Sequence, residues 1–329
     1  MDPVSLSVAF LVFALALYLL LDGFDLGVGA LLFTTSDETL RDRMIMSIAP
    51  TWDGNETWLI MAGVTLLAAF PIAYGVLLPA LYLPLIAMLL CLGLRGVSFE
   101  FRANTRGVAR ARWSIVFALG STVAAFCQGI VAGALVEGIE VSGTQFDGSP
   151  LDAFTPFTLA VGAATVAGYA ALGTGWCLFK GDAPLLEHAR RLRGTVLAFA
   201  GLAFVVCLWS ARAEPRVLSA WLDHSLLLGA AAIVFLAAVT IAFRWAAMRS
   251  DLSIFLMIVA AFGCALLGLG LVIFPYIVPF AITFREAASP TNSHVFLLTG
   301  AIFVTPIVLG YSAFAYWIFR GKTSEQGYE

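Results

Sequence analysis

"YLLLDGFDLGVGALLF", residues 18–33, sets two aspartates and three glycines inside an otherwise unbroken apolar run. The run starts near residue 5 and exceeds the roughly 20 residues an α-helix needs to cross a bilayer. An Asp at the centre of a membrane helix costs about 2.5–3.5 kcal/mol, so such acids face protein and either act or hold a contact. Asp22 and Asp25 are three apart and share one helix face. A rise of 1.5 Å per residue from Phe33 puts Asp25 about 12 Å and Asp22 about 16 Å below one membrane surface. Two carboxylates that close in a low dielectric cannot both ionise comfortably. Proton handling and structural hydrogen bonding to a neighbouring helix both account for the pair. Gly23 and Gly27, four apart, form a face on which a second helix can approach closely.

The rest of the chain has the same character. Its 329 residues are 61% hydrophobic and 12% charged, with a mean hydropathy of +0.95. The fold class is an all-α integral membrane protein, a single polytopic domain over 1–329 in contact with the lipid bilayer. Nine transmembrane helices are expected: 5–33, 53–75, 77–99, 114–136, 155–179, 194–212, 221–244, 252–278 and 294–319. The second and third lie so close that Pro79 and Pro84 are expected at the turn or kink. The count suggests two four-helix bundles, repeats over 1–136 and 155–278, with 294–319 peripheral. "MDPVSLS" has no basic n-region, so the first run reads as an uncleaved span.

Arg and Lys cluster on one side: Arg41, Arg43, Arg102, Arg106, Arg110, Arg112, Lys180, Arg190, Arg191, Arg193, Arg244, Arg249, Arg320 and Lys322. The opposite loops carry only Arg212, Arg216 and Arg285, and include the acidic "VEGIEVSGTQFDGSPLDAF". The positive-inside rule then places the N-terminus outside and the C-terminus in the cytoplasm.

"SIAPTWDGNETWLIMAG", residues 47–63, opens the second span. Asp53 and Glu56, three apart after Pro50, match a capping box with Asp53 as N-cap. Trp52 and Trp58 suit an interfacial aromatic belt. If spans 1 and 2 are antiparallel neighbours, Asp53 and Glu56 lie at the surface from which Asp25 and Asp22 descend, the order a proton path requires. In "LRGVSFEFRANTRG", Arg95 lies a turn inside the membrane and Glu100 at its edge. Arg95 either neutralises a span 1 carboxylate or extends to the interface.

Other chemistries find little support. Cys91, Cys127, Cys177, Cys207 and Cys264 are scattered through apolar runs without metal or disulfide spacing. His188, His224 and His294 lie at helix ends or in a loop and form no mid-membrane pair for a haem. Net charge is −3, and the absence of a basic stripe argues against nucleic acid. The residues alone admit a membrane protein that handles protons, a proton-coupled secondary transporter among them, or a scaffold.

The motifs "LDGFDLGVG" (21–29), "SIAPTWDGNETWL" (47–59), "LRGVSFEFR" (94–102), "TPFTLAVGAATVAGYAALGTGW" (155–176), "IFPYIVP" (273–279), "FREAASP" (284–290) and "YWIFRGK" (316–322) carry a resemblance. Together they resemble subunit II of the cytochrome bd-type quinol oxidases, and the short outer loops are most similar to the cyanide-insensitive branch. The resemblance implies a haem-free nine-helix chain in the bacterial cytoplasmic membrane. It would pair with a haem-bearing subunit I that carries haem b and haem d, with a small third subunit in some complexes. The complex oxidises quinol and reduces oxygen to water, and some members hold a structural quinone on subunit II. Within that resemblance Asp53 matches the acid at the proton entrance. Asp22 and Asp25 match "DGFD", and Arg95 and Glu100 match the charged end of the third helix. Glu56 replaces an uncharged residue of some relatives.

Overall fold

In the computed structural model, residues 2–248, 252–324 and 327–328 are described; Arg249, counted above among the cytoplasmic cations, lies outside them. The Asp2 side chain accepts from the Ser5 N–H, and Pro3 takes the first helical position, where no N–H is needed. Helix α1 (Pro3–Leu31) then runs unbroken through both aspartates. After it come α2 (Glu38–Ile48), α3 (Trp52–Ala69), α4 (Pro71–Ala80), α5 (Tyr82–Ala103) and α6 (Gly107–Glu137). The remainder are α7 (Pro156–Lys180), α8 (Ala183–Arg191), α9 (Gly194–Ala213), α10 (Pro215–Asp223), α11 (Ser225–Trp245), α12 (Leu252–Ile273) and α13 (Thr291–Ile318).

Among the described residues, 8 helical stretches are long and apolar enough to cross a membrane. The chain is an all-α, multi-pass membrane protein. The expected second span, 53–75, is not one of the eight, because the first turns of α3 are polar ("WDGNET") and its helix stops at Ala69. Pro71 causes that stop. It has no N–H to donate, and it holds Phe70 at φ −134°, ψ 60°, outside the helical region. The break therefore falls at Phe70 and again at Leu81, whereas Pro79 sits within α4 and Pro84 in the first turn of α5. The expected span 252–278 also ends early, at Ile273. Pro275 follows, and Tyr276–Val278 pairs with Ile282–Thr283 in a short hairpin.

Helix α1 is central. It packs on α3, α6 and α7, and α13 lies against both α1 and α3. Helices α5 and α6 form one extensive pair, and α7 packs with α9 and α12, which in turn meets α11. The α1–α7 contact is a glycine seam. A methyl group on Gly27 would overlap the Tyr169 carbonyl, and one on Gly173 would lie 2.5 Å from the Gly27 carbonyl carbon. Backbones approach this closely only where both helices lack side chains.

At the end of the bundle where α1 finishes, charged side chains join the helices. Arg102 donates to Glu38 Oε2 at 2.9 Å and to Ser114 at 2.8 Å, and it pairs with Asp42 at 2.6 Å. Arg110 also reaches Asp42, at 2.6 Å, and Arg41 holds the other Glu38 oxygen at 2.6 Å. This clasp ties α2 to α5 and α6. Lys180, at the end of α7, donates to the Phe319 and Gly321 carbonyls just past α13.

Two outcomes follow from this packing. Gly27→Ala inserts a methyl group where none fits, which costs about 1–3 kcal/mol or more, and thermal unfolding of the detergent-purified protein should fall accordingly. Burial alone raises the Glu38 carboxyl, but hydrogen bonds from Ser114, Arg41 and Arg102 outweigh it and hold the group below the usual 4.5. Because the folded value is the lower one, the clasp stabilises fully above 4.5 and is lost as pH falls through the folded value. The advantage of wild type over Glu38→Gln in thermal unfolding should therefore be present at neutral pH and shrink in acid.

Candidate functional site

The acids of α1 lie where α3, α5 and α13 converge on it. Asp22 and Asp25 are both fully buried. Helix α5 supplies the counter-charge: Arg95 Nη2 donates to Asp22 Oδ1 at 2.8 Å and to Glu56 Oε2 at 3.2 Å. Arg95 is itself fully buried, and its guanidinium turns inward to the acids. The Glu56 side chain is 24% exposed, so it forms the neck between the buried pair and the chain surface. The Arg95 guanidinium carbon lies 5.6 Å from the centre of the Trp52 ring, which stacks on Phe99 at 4.7 Å. This aromatic lid shields one face of the cation and adds a cation–π attraction.

Asp25 has a different partner. Asn55 Nδ2 donates to Asp25 Oδ2 at 2.7 Å, and the Tyr316 hydroxyl of α13 donates to Asn55 Oδ1 at 2.9 Å. Four buried polar atoms nearby have no hydrogen-bond partner: Asp22 Oδ2, Asp25 Oδ1, Arg95 Nε and Arg95 Nη1. The set mixes acceptors and donors, which suits bound water better than a bare cation or anion. Two carboxyl groups bond one guanidinium and a third lies one helix turn away, so the charge of the site depends on how many protons it holds.

Of the residues expected from the sequence, the fold gathers Asp22, Asp25, Glu56 and Arg95. It does not bring Asp53 or Glu100 into the cluster. Both are exposed on the chain surface, and neither side chain has a hydrogen bond or ion pair among the described residues. The expected capping box is absent. The N-cap is Thr51, Asp53 lies within the first turn, and the Glu56 carboxylate is drawn to Arg95. Trp58 is fully buried and not part of an interfacial belt, its ring packing edge-on against Phe13. Sequence reasoning missed Asn55 and Tyr316. Asn55 stands inside the quoted "WDGNE" motif, where a polar residue between two acids was the available signal.

None of the three histidines joins the acid cluster. His188 bonds Thr34 at 2.8 Å near the end of α1, His294 bonds Ser7 at 2.8 Å near its start, and His224 occupies the N-cap position of α11 without a side-chain capping bond. Among the described residues no three His, Cys, Asp or Glu side chains gather as a metal site.

The fold and the cluster together define a polytopic helical membrane protein with an ion-paired acid site on its central helix. Residues 4–319 match the family described as cytochrome bd terminal oxidase subunit II, and the chain belongs to that family. It is similar to the cytochrome bd-I ubiquinol oxidase subunit 2 of Escherichia coli, 27% identical over 351 aligned positions that cover 94% of this chain and 92% of that one. A "probable cytochrome oxidase subunit 2" of Haemophilus influenzae is 32% identical over 213 residues, which span 62% of this chain but only 56% of the relative. The bd oxidase of Geobacillus thermodenitrificans shares the fold, with a TM-score of 0.77 at 17% identity and coverage of 97% and 99% of the two chains. The chain is thus a component of a cytochrome bd-type terminal oxidase, an oxidoreductase complex in which a subunit I is its partner.

Removing one member of the buried pair tests the geometry. Arg95→Met leaves Asp22 without a partner and should cost about 3–5 kcal/mol. Adding Asp22→Asn to that variant should recover part of the loss, as read by thermal unfolding of the purified protein.

Proposed function

We propose that this chain delivers protons from the cytoplasm to the oxygen-reducing centre of a quinol oxidase while holding no haem itself. The shared guanidinium carries this reading: Arg95 ties a partly exposed acid, Glu56, to the buried Asp22. Asp53 and Glu100 serve as surface acids that collect protons. Asp53 is three residues before Glu56 on α3, so the two share a helix face. Glu56 passes the proton inward, and Asp22 and Asp25 hold it within the bundle. The unpartnered oxygens and N–H groups between them suit bound water, which carries a proton without moving a side chain far.

The haems b and d, in this reading, belong to subunit I, where quinol oxidation supplies electrons and oxygen reduction consumes the protons. The chain crosses the bacterial cytoplasmic membrane nine times, with α3 as the ninth crossing, its polar start placed at the cytoplasmic surface. The N-terminus lies outside and the C-terminus inside, in accord with the cations gathered at the Arg102 and Lys180 end. Helices α1, α3, α5 and α6 form one four-helix unit within 1–136, and α7, α9, α11 and α12 a second within 155–278. Helix α13 is peripheral to both. The secondary-transporter reading has nothing to set against the family match.

Asp22→Asn should lower quinol-oxidase turnover of the assembled complex by about 100-fold, the scale of a lost proton-transfer group. Asp53→Asn should lower it less, because Glu100 and solvent remain, and haem spectra should be unchanged in both. Wild-type turnover in a variant neutralised at Asp22, Asp25 and Asp53 together would reduce the cluster to helix packing.

A further inference from the structure

A second polar row crosses the bundle one turn before the acid site. Tyr18 stands four residues before Asp22 on the same face of α1. Gln128 of α6 and Tyr169 of α7 lie beside it, and all three are buried. The Tyr169 hydroxyl donates to Gln128 Oε1 at 2.5 Å, and Gln128 Nε2 donates to the Tyr18 oxygen at 2.7 Å. A carboxamide has one accepting end and one donating end. With Tyr169 on the accepting end, the Tyr18 oxygen is an acceptor and its own O–H must point elsewhere. Among the described residues that O–H has no protein acceptor within hydrogen-bond distance. On the next turn of α1, Asp22 Oδ2 is buried and has no donor.

A packing role for the row explains the two bonds to Gln128. It does not explain an unused donor and an unused acceptor on adjacent turns of one helix face. The row is also held rigidly. The Tyr169 ring lies against Gly23, where a methyl group would come within 2.7 Å of it, so the ring has no room to swing toward α1. Orientation passes from Tyr169 to Gln128 to Tyr18, which leaves the Tyr18 hydroxyl proton free for an acceptor other than Gln128.

We propose that Tyr18 is a positioning residue of the acid site: Gln128 and Tyr169 fix its phenol so that the hydroxyl donates toward Asp22 Oδ2 through a bridging water. Asp22 is then addressed on both oxygens, by Arg95 on one and by the Tyr18 side on the other. This inference rests on the proton-delivery reading above, in which Asp22 carries the proton.

The test uses the assembled oxidase with isotope-labelled aspartate and infrared difference spectra. Asp22→Asn identifies the Asp22 carboxyl band, protonated or ionised, by its loss. Tyr18→Phe keeps the ring and removes the hydroxyl; it should shift that band and lower turnover by about fivefold, the size of one hydrogen bond on a rate. Gln128→Leu keeps the Tyr18 hydroxyl but frees its orientation, and it should shift the same band. It carries the test if Tyr18→Phe fails to assemble. A band unmoved in either assembled variant overturns the assignment. Wild-type turnover in Asp22→Asn would instead remove the proton-delivery reading, and the band shift would still decide whether Tyr18 addresses Asp22.

Discussion

A single guanidinium nitrogen bonded to two carboxylates on two helices is the contact around which this bundle is arranged. Asp22 is fully buried, and a carboxylate in that position needs a charge brought to it. Arg95 brings one from α5 and holds Glu56 of α3 with the same Nη2 atom. Three helices that are far apart in the chain are thereby fixed at one depth. The aromatic pair Trp52 and Phe99 then closes over the cation.

The same turns of α1 serve two different neighbours. Asp22 and Asp25 point to α5, α3 and, through Asn55, α13, whereas Gly23 and Gly27 face α7. Acids and glycines alternate because each face meets a partner with an opposite requirement: hydrogen-bonding side chains on one side, bare backbone on the other. A change in the seam therefore alters the depth and tilt of the acids, and "DGFDLG" is best understood as one structural unit with two contact faces.

Much of this was legible in the letters, for physical reasons. Long apolar runs fix membrane helices almost independently of context, and the bias of Arg and Lys marks one end of the bundle. Two acids in such a run announce a polar site because their burial is costly. Local ambiguity limited the rest. Asp53 and Glu56, three apart, satisfy both a capping box and a one-sided surface pair, and only the position of Arg95 decides between them. Phe70–Pro71 breaks the second span because proline acts on the residue before it, a break that the expected spans lack, whereas the break at Leu81 does fall between Pro79 and Pro84. Asn55 and Tyr316 meet across 261 residues of chain, a separation that no local pattern encodes. Tyr18 was in plain view four residues before Asp22, but a tyrosine in an apolar run reads as packing until its hydrogen-bond partner is known.

The partners of Asp22 and Asp25 have a bearing on how the chain is made. The first helix reaches the membrane with both acids unmatched, since Arg95 lies 73 residues beyond Asp22. Tyr316, which completes the Asn55 contact, follows 261 residues after Asn55, and Lys180 anchors the backbone just after it. Until α5 has been made, therefore, α1 carries two acids without the cation that pairs with one of them. Helix α13 closes the site only after every other helix that touches it has been made.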